Sequence, residues 1–370
     1  MRGGRLRSCH YAVRAGLCRV AAQSWAVVKR RLVRAFFFAL AGSVTLAACT
    51  SGGPRAPGPG LPGQWVRFRH VSGVVDLAGP RSDGSFIVAA AGRLFILGTS
   101  GALRPFARGP GGYFTAIGGE PYITLAGSGR VAGTRCSFPR GMIFALQLGS
   151  RPGIIRVGAT GLASRFAALP AAVTPTGITF DSIGHFGHKL LVTARDHART
   201  TVLAVDCTGE VQAISTHAPA MEGGITVAPA SFGRYGGDLI APGETTGRIF
   251  AIRPDGTVAT LPASGLPHGG DIGVESTGFV PPGFSSSDSA FLADRYSKGN
   301  KHPGTNSILR LPGPELIKSG ARAGDLLVAT EASAQTIVIR CAASCTVRHI
   351  AAGPAITHAE GHIVFNPPIR

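Results

Sequence analysis

The sequence predicts an all-β fold, a six-bladed β-propeller, on three observations. Glycine (53 residues) and proline (26) are abundant while charged residues make up only 15%. That balance suits many short strands joined by tight turns and argues against long solvent-exposed helices. Helical periodicity is nearly absent, and only Pro314 to Ser319 reads as a turn of helix. Above all, a strand-loop-strand unit recurs six times. The copies that begin at Phe86 and Leu326 lie 240 residues and five steps apart, a mean period of 48. Units of roughly 40–50 residues holding several strands have the spacing of propeller blades.

Residues 1–48 read as an export signal. Lys29, Arg30, Arg31 and Arg34 form a basic segment, and Ala35 to Leu46 is an apolar run of 12 residues, too short to span a bilayer. The run ends in Leu46-Ala47-Ala48-Cys49, which resembles the bacterial lipobox: a branched residue, two small ones and a cysteine whose thiol accepts a diacylglyceryl group. Two acyl chains hold a protein on a membrane where a single chain holds it only marginally. The expectation is therefore cleavage before Cys49 and a lipid anchor on the outer side of a membrane. A start of translation nearer Val27 or Val28 would shorten the long preface. The rival reading is an N-terminal transmembrane anchor with a chance cysteine, and the short apolar run weighs against it.

Residues 49–63 carry the lipidated cysteine and a tether. Within Thr50 to Gly63, nine of 14 residues are Gly or Pro, which cannot pack a core. Of the 37 Lys and Arg in the chain, nine lie in residues 1–48, which hold no Asp or Glu. The formal charge of +18 thus falls to +9 for the processed chain. Apart from Lys298 to Lys301 those charges read as scattered, without aromatic residues interleaved. A mild attraction to anionic surfaces follows, and nucleic-acid recognition does not.

The domain is expected over 64–370. Gln64-Trp65-Val66-Arg67-Phe68 alternates as a strand. Two loose copies of the unit follow, Phe86-Ile87-Val88 with Arg93 to Leu97, and Tyr122-Ile123-Thr124 with Met142 to Leu146. Four well-formed copies come next. They are Leu190-Leu191-Val192 with Val202 to Val205, Asp238 to Ala241 with Arg248 to Ile252, Phe291 to Asp294 with Ile308 to Leu311, and Asp325 to Val328 with Thr336 to Ile339. Short strands beginning near a glycine precede the units, at Thr176 to Phe180, Gly224 to Val227 and Gly278 to Val280, and one at Gly361 to Phe365 ends the chain. Pro254-Asp255-Gly256 and Cys207-Thr208-Gly209 supply hairpin turns. Because a blade cannot bury both faces alone, the ring must close, and 64–68 is expected to share a blade with 361–365.

The unit Gly-Ile-x-[Phe/Val], Leu-[Leu/Ile]-Val-Ala-x-[Asp/Glu] and Arg-Ile-x-Ala-Ile-x-Pro-Asp-Gly, best over 175–260, resembles blades of the SMP-30/gluconolactonase and NHL-like six-bladed superfamily. The resemblance extends over about 72–365 and implies architecture, not chemistry. Gluconolactonase-like enzymes hold a metal through a glutamate with an inner-strand Asn and Asp. Here the matching stretch, Pro175-Thr176-Gly177, lacks the asparagine, so their catalytic residues do not carry over.

Four cysteines remain beyond Cys49, an even number that fits an oxidising compartment. Cys341 and Cys345 flank a hairpin tip and are favoured as one disulfide, with Cys136 and Cys207 as the second. Buried free thiols are the rival reading.

Two sets of polar residues could carry function. An acidic residue follows the second strand of four units (Asp196, Glu244, Asp294, Glu331). Its recurrence favours a role in bonding each hairpin backbone over a functional ring of carboxylates. The second set stands at the starts of the presumed inner strands: Glu222, preceded by His217; His268, Asp271 and Glu275; and His358, Glu360 and His362. Inner strands line the channel, so these side chains could converge at one mouth. There carboxylates would suit Ca²⁺ or Mg²⁺, and added imidazole Zn²⁺ or Mn²⁺. Period-two geometry would put His358, Glu360 and His362 on one face. A merely structural polar mouth is the competing account and the favoured one. No Gly-x-Ser-x-Gly, His-Glu-x-x-His, phosphate-binding glycine loop or Cys-x-x-Cys is present. The preferred expectation is a lipid-anchored propeller that binds a small ligand, glycan or envelope protein at its channel mouth. The alternative is a metal-dependent hydrolase of lactonase type using Glu222, Asp271, Glu275 and Glu360. A pure assembly scaffold is the third possibility.

Overall fold

The computed structural model describes residues 63–107 and 119–366. The lipobox, the signal segment and nearly all of the tether lie outside the described residues. Within them the chain forms six antiparallel sheets, and the single α-helix, Gly313–Lys318, is one short turn with Pro314 near its start. None of the described helices is long and apolar enough to cross a membrane.

Blade 1 is Val74–Ala78, Phe86–Ala90, Arg93–Leu97 and Leu103–Ala107, and blade 2 is Ile123–Leu125, Ile143–Gln147, Gly153–Val157 and Ala163–Ala168. Blade 3 is Thr174–Phe180, Leu190–Asp196, Arg199–Val205 and Val211–Pro219, and blade 4 is Thr226–Val227, Leu239–Gly243, Arg248–Ile252 and Val258–Thr260. The first strand of each is innermost. Inner strands touch in ring order, and the ring closes where Ala359–Phe365 packs on Val74–Ala78. Hydrophobic side chains of neighbouring blades interlock between the sheets, as with Phe138, Phe144, Phe166 and Phe180 between blades 2 and 3. Each such side chain, fully buried, contributes about 1.5–3 kcal/mol.

Two assignments made from the repeat are corrected. Ile123–Leu125 is the inner strand of blade 2 and pairs with Ile143–Gln147, so that copy is displaced by one strand from the others. The last two blades also exchange inner strands. Val274–Phe279 does not pair with the next strand in sequence. It pairs with Leu326–Thr330 in blade 5, which continues through Thr336–Cys341 and Cys345–Ala352. Blade 6 takes Ser289–Asp294 and Ser307–Pro312 as its middle strands and Ala359–Phe365 as its inner one.

Val66–His70 completes blade 6 on the outside, so both ends of the described chain enter that blade. Gly63–Gln64 adds in parallel to the rim of blade 5, and the buried Trp65 donates from Nε1 to Thr336 Oγ1 at 2.8 Å. One chain end thereby ties two blades, which resists opening of the ring. Disulfides join Cys136 to Cys207, between blades 2 and 3, and Cys341 to Cys345 across a hairpin tip.

Candidate functional site

Inner strands begin at one mouth of the channel and end at the other. At the first mouth, glutamates from four blades surround a cavity of about 280 Å³: Glu120, Glu222, Glu244, Glu275, Glu331 and Glu360. Glu120 and Glu222 precede the inner strands of blades 2 and 4, and Glu275 and Glu360 are second residues of those of blades 5 and 6. Glu244 and Glu331 directly follow the second strands of blades 4 and 5. Gly223, at φ +85°, allows the approach, because a Cβ there would sit 2.2 Å from the Glu275 carbonyl oxygen.

Cations and hydroxyls hold the carboxylates. Tyr122 donates its hydroxyl towards both Glu275 Oε1 and Glu360 Oε2, each at 2.8 Å. Arg295 pairs with Glu120 and, at 3.1 Å, with Glu360, while Arg195 pairs with Glu222 at 2.6 Å. His358 Nε2 lies 2.8 Å from Glu331 and 3.4 Å from Glu360. Glu244 stands among the same carboxyl groups, with Glu222 and Glu331 as neighbours in the cavity lining. Two carboxyl groups can share a hydrogen bond only through a proton.

Proton affinities follow from this crowding. The charge of Glu360, helped by burial, pushes Glu120 up to about 7, although 39% of that side chain stays open to water. Burial, then the neighbouring carboxyl groups of Glu222 and Glu331, raise Glu244 to about 9. Burial and the charges of Glu360 and Glu120 push Glu275 well above the carboxylate range, and burial also raises Glu331. Burial opposes ionisation of Glu360, but His358 and Arg295 outweigh it and hold that carboxyl low. Burial likewise works against charge on His358, yet Glu331 and Glu360 lift it to about 10.

Of the residues singled out in the sequence, Glu222, Glu275, His358 and Glu360 meet here. Asp271 stands exposed on the rim, its backbone N–H donating to Glu244. His268 is exposed against Gly247 and His217 is exposed on blade 3, both outside the cavity lining. The shared face expected for His358, Glu360 and His362 is corrected, because Gly361 at φ +68° bulges the strand. His362 consequently leaves the mouth and lies on the channel axis against Asp76.

The acidic repeat divides. Asp196 is exposed beside His197, and Asp294 accepts the backbone N–H of His358 just before the inner strand of its blade, so neither reaches the cavity. Glu244 and Glu331 reach the cavity, against the expectation of a purely local role for the repeat. Sequence reasoning missed Glu120, Tyr122, Arg195 and Arg295. The first two occupy the position before an inner strand that Glu222 occupies in blade 4, a signal hidden by the displaced reading of blade 2. The two arginines stand next to Asp196 and Asp294 in the repeat itself.

Fold and site together define a six-bladed propeller with a glutamate-lined channel mouth. No known family model and no curated protein matches the chain. Among solved structures it is similar to a streptogramin B lyase, at 13% identity over 84% of this chain and 97% of that one, with a TM-score of 0.43. It is also similar to a TolB-like protein of Agrobacterium tumefaciens (13% identity, 78% and 83% covered, TM-score 0.42). A gluconolactonase of Xanthomonas campestris gives 13% identity over 70% and 99%, with a TM-score of 0.34. The count of blades rests on this chain's own sheets, and no activity transfers from these names.

Proposed function

We propose that the chain is a lipid-anchored, extracytoplasmic propeller whose glutamate mouth takes a hard divalent cation and, with it, a small oxygen-rich ligand. The observation that carries this reading is the convergence of six glutamates on one small cavity, with Glu244 set between Glu222 and Glu331. Without a cation the mouth answers its excess of carboxylates by keeping protons on groups such as Glu244 and Glu275. A divalent ion would displace those protons. The donors are oxygens, and His358, engaged with Glu331 and Glu360, serves as a charged partner more readily than as a ligand. That set suits Ca²⁺ or Mg²⁺ better than Zn²⁺. The cavity admits a small molecule only. The apolar run ending at Cys49 supports the anchor, and mass spectrometry of the processed N-terminus, with and without Cys49→Ser, tests it.

Calorimetric titration with Ca²⁺, Mg²⁺ and Zn²⁺ in buffers of different ionisation enthalpy tests the site. Stoichiometric binding of a hard cation with proton release, lost in Glu244→Gln and Glu275→Gln, is the expected result. No heat with any of the three ions removes the proposal.

A metal-dependent hydrolase of lactonase type is the second reading, and Glu120 favours it. Its carboxyl, at about 7, is matched to taking a proton from an attacking water near neutral pH. A bound cation would supply polarisation of the carbonyl oxygen. Lactone hydrolysis abolished by Glu120→Gln with cation binding intact distinguishes the enzyme from a binding protein.

A further inference from the structure

At the end of the channel remote from the glutamates, the blade 2 side carries a cluster of arginines. Residues 121–180 contain six arginines and no Asp, Glu or Lys. Strand register places much of this charge at one end of the propeller. Leu125, the last residue of its inner strand, pairs with Ile143, and Ile143 pairs with Val157. The connections 126–142 and 158–162 therefore both emerge where the inner strands finish. The blade 1 hairpin between Leu97 and Leu103 emerges there too, since Phe86 pairs with Leu97.

Arg130, Arg135 and Arg140 line one shallow depression of about 520 Å³ together with Phe138, and the disulfide from Cys136 to Cys207 braces this loop against blade 3. Arg156 stands nearby, its guanidinium over the ring of Phe166, which packs on Phe138, and Arg104 lies on the outer strand of blade 1. All five are exposed, and none forms an ion pair among the described residues. Their hydrogen bonds are to neutral oxygens, Arg130 to the Thr134 carbonyl at 3.4 Å and Arg156 to Ser164 Oγ at 3.0 Å.

Two apolar side chains protrude at the same end, Leu162 at 69% exposure on its hairpin tip and Ile183 at 42%. Ile183 also lines a channel mouth of about 440 Å³ whose other walls include Leu125, Val227, Phe279 and Phe365.

Guanidinium groups without counter-charges attract phosphate, which they grip with two parallel N–H donors. A soluble polyanion would account for the arginines but leave Leu162 and Ile183 in water. A bilayer accounts for both, because its headgroups are anionic and its acyl boundary accepts apolar tips.

We propose that Arg104, Arg130, Arg135, Arg140 and Arg156, with Leu162 and Ile183, dock the propeller on an anionic phospholipid surface. This inference does not depend on the cation reading of the other mouth. It orients the domain: the arginine face of blade 2 meets the bilayer, and the glutamate mouth at the other end of the channel faces the aqueous phase. A tether from Cys49 would hold the domain near the membrane, and this face would decide which way it points.

Co-sedimentation of the chain from Thr50 onwards, which carries neither the acylated cysteine nor the basic apolar leader, tests the proposal. Vesicles of phosphatidylglycerol mixed with phosphatidylcholine are compared with phosphatidylcholine alone. The expected result is binding that requires phosphatidylglycerol and weakens with salt. The R130Q/R135Q/R140Q variant should bind on the order of a hundredfold more weakly with its melting temperature unchanged. Leu162→Ser should weaken binding roughly tenfold and leave the salt dependence as it was. Equal affinity of the triple variant and the parent for phosphatidylglycerol vesicles overturns the proposal. So does tight binding of soluble polyphosphate by a chain that ignores the vesicles.

Discussion

His362 Nδ1 lies 3.0 Å from both carboxylate oxygens of Asp76, and this pair sits on the propeller axis between the two mouths. Asp76 also accepts the backbone N–H groups of Leu77, Ile123 and His362, each at 2.8 Å. One carboxylate thus joins the inner strands of blades 1, 2 and 6. Gly361 permits the approach, since a Cβ there would lie 2.2 Å from Asp76 Oδ1.

Removing either partner leaves a buried group uncompensated. Asp76→Asn or His362→Gln should cost about 3–5 kcal/mol in urea unfolding. Burial by itself would lower the His362 pKa, but the charge and hydrogen bond of Asp76 raise it on balance. A raised folded-state value means that the pair contributes fully below the unfolded histidine pKa of about 6.5 and loses its contribution as pH climbs through the folded value. Stability measured from pH 6 upwards should fall in the native chain, and this slope should flatten in the Asp76→Asn variant.

Glu244 has the same sign through different chemistry. Its folded pKa of about 9 exceeds the ordinary carboxylate value, so the cation-free protein should lose stability as pH rises from about 4.5 to 9. Calcium or magnesium should oppose that loss, binding more tightly at pH 9 than at pH 7 as protons leave. Glu244→Gln should raise the melting temperature at pH 9 by a few degrees without cation and abolish the cation-induced shift. Differential scanning fluorimetry across pH, with and without chelator, reads both effects.

Tyr122 ties blade 2 to Glu275 and Glu360 through a single hydroxyl. Tyr122→Phe keeps the ring in its packing and removes only the donor. A stability loss of about 1–3 kcal/mol is expected from the two carboxylates left short of a partner. Because a cation would compensate part of that loss, the difference between variant and parent should shrink when calcium is added.

The two disulfides should differ in worth. Cys136 and Cys207 are 71 residues apart, and on loop entropy their bond contributes about 4 kcal/mol. Cys341 and Cys345 are separated by 4 residues and should contribute about 2 kcal/mol on the same reasoning. Paired Cys→Ser variants compared by denaturant unfolding should preserve that order.

What the sequence by itself determined is local in origin. The 48-residue period, the Gly-containing turns and the alternation of apolar residues fix how many blades there are and where most strands lie, because each depends on neighbours within a hairpin. The repeat also brought Glu222, Glu275 and Glu360 to notice, each at the start of an inner strand. The charges read as scattered in the sequence, and the arginines of 121–180 gather into one face only once the strands are assembled. Only the tertiary structure decided the exchange of Val274–Phe279 and Ala359–Phe365 between the last two blades, since strand pairing across 50 residues leaves no mark on local pattern. It likewise decided that Glu244 and Glu331 face the cavity while Asp196 and Asp294 do not, and that His362 turns to Asp76. Those outcomes depend on a bulge at Gly361 and on contacts among blades far apart in sequence. Period-two reasoning cannot see such contacts, because the physical cause lies in the partner strand and not in the residue itself.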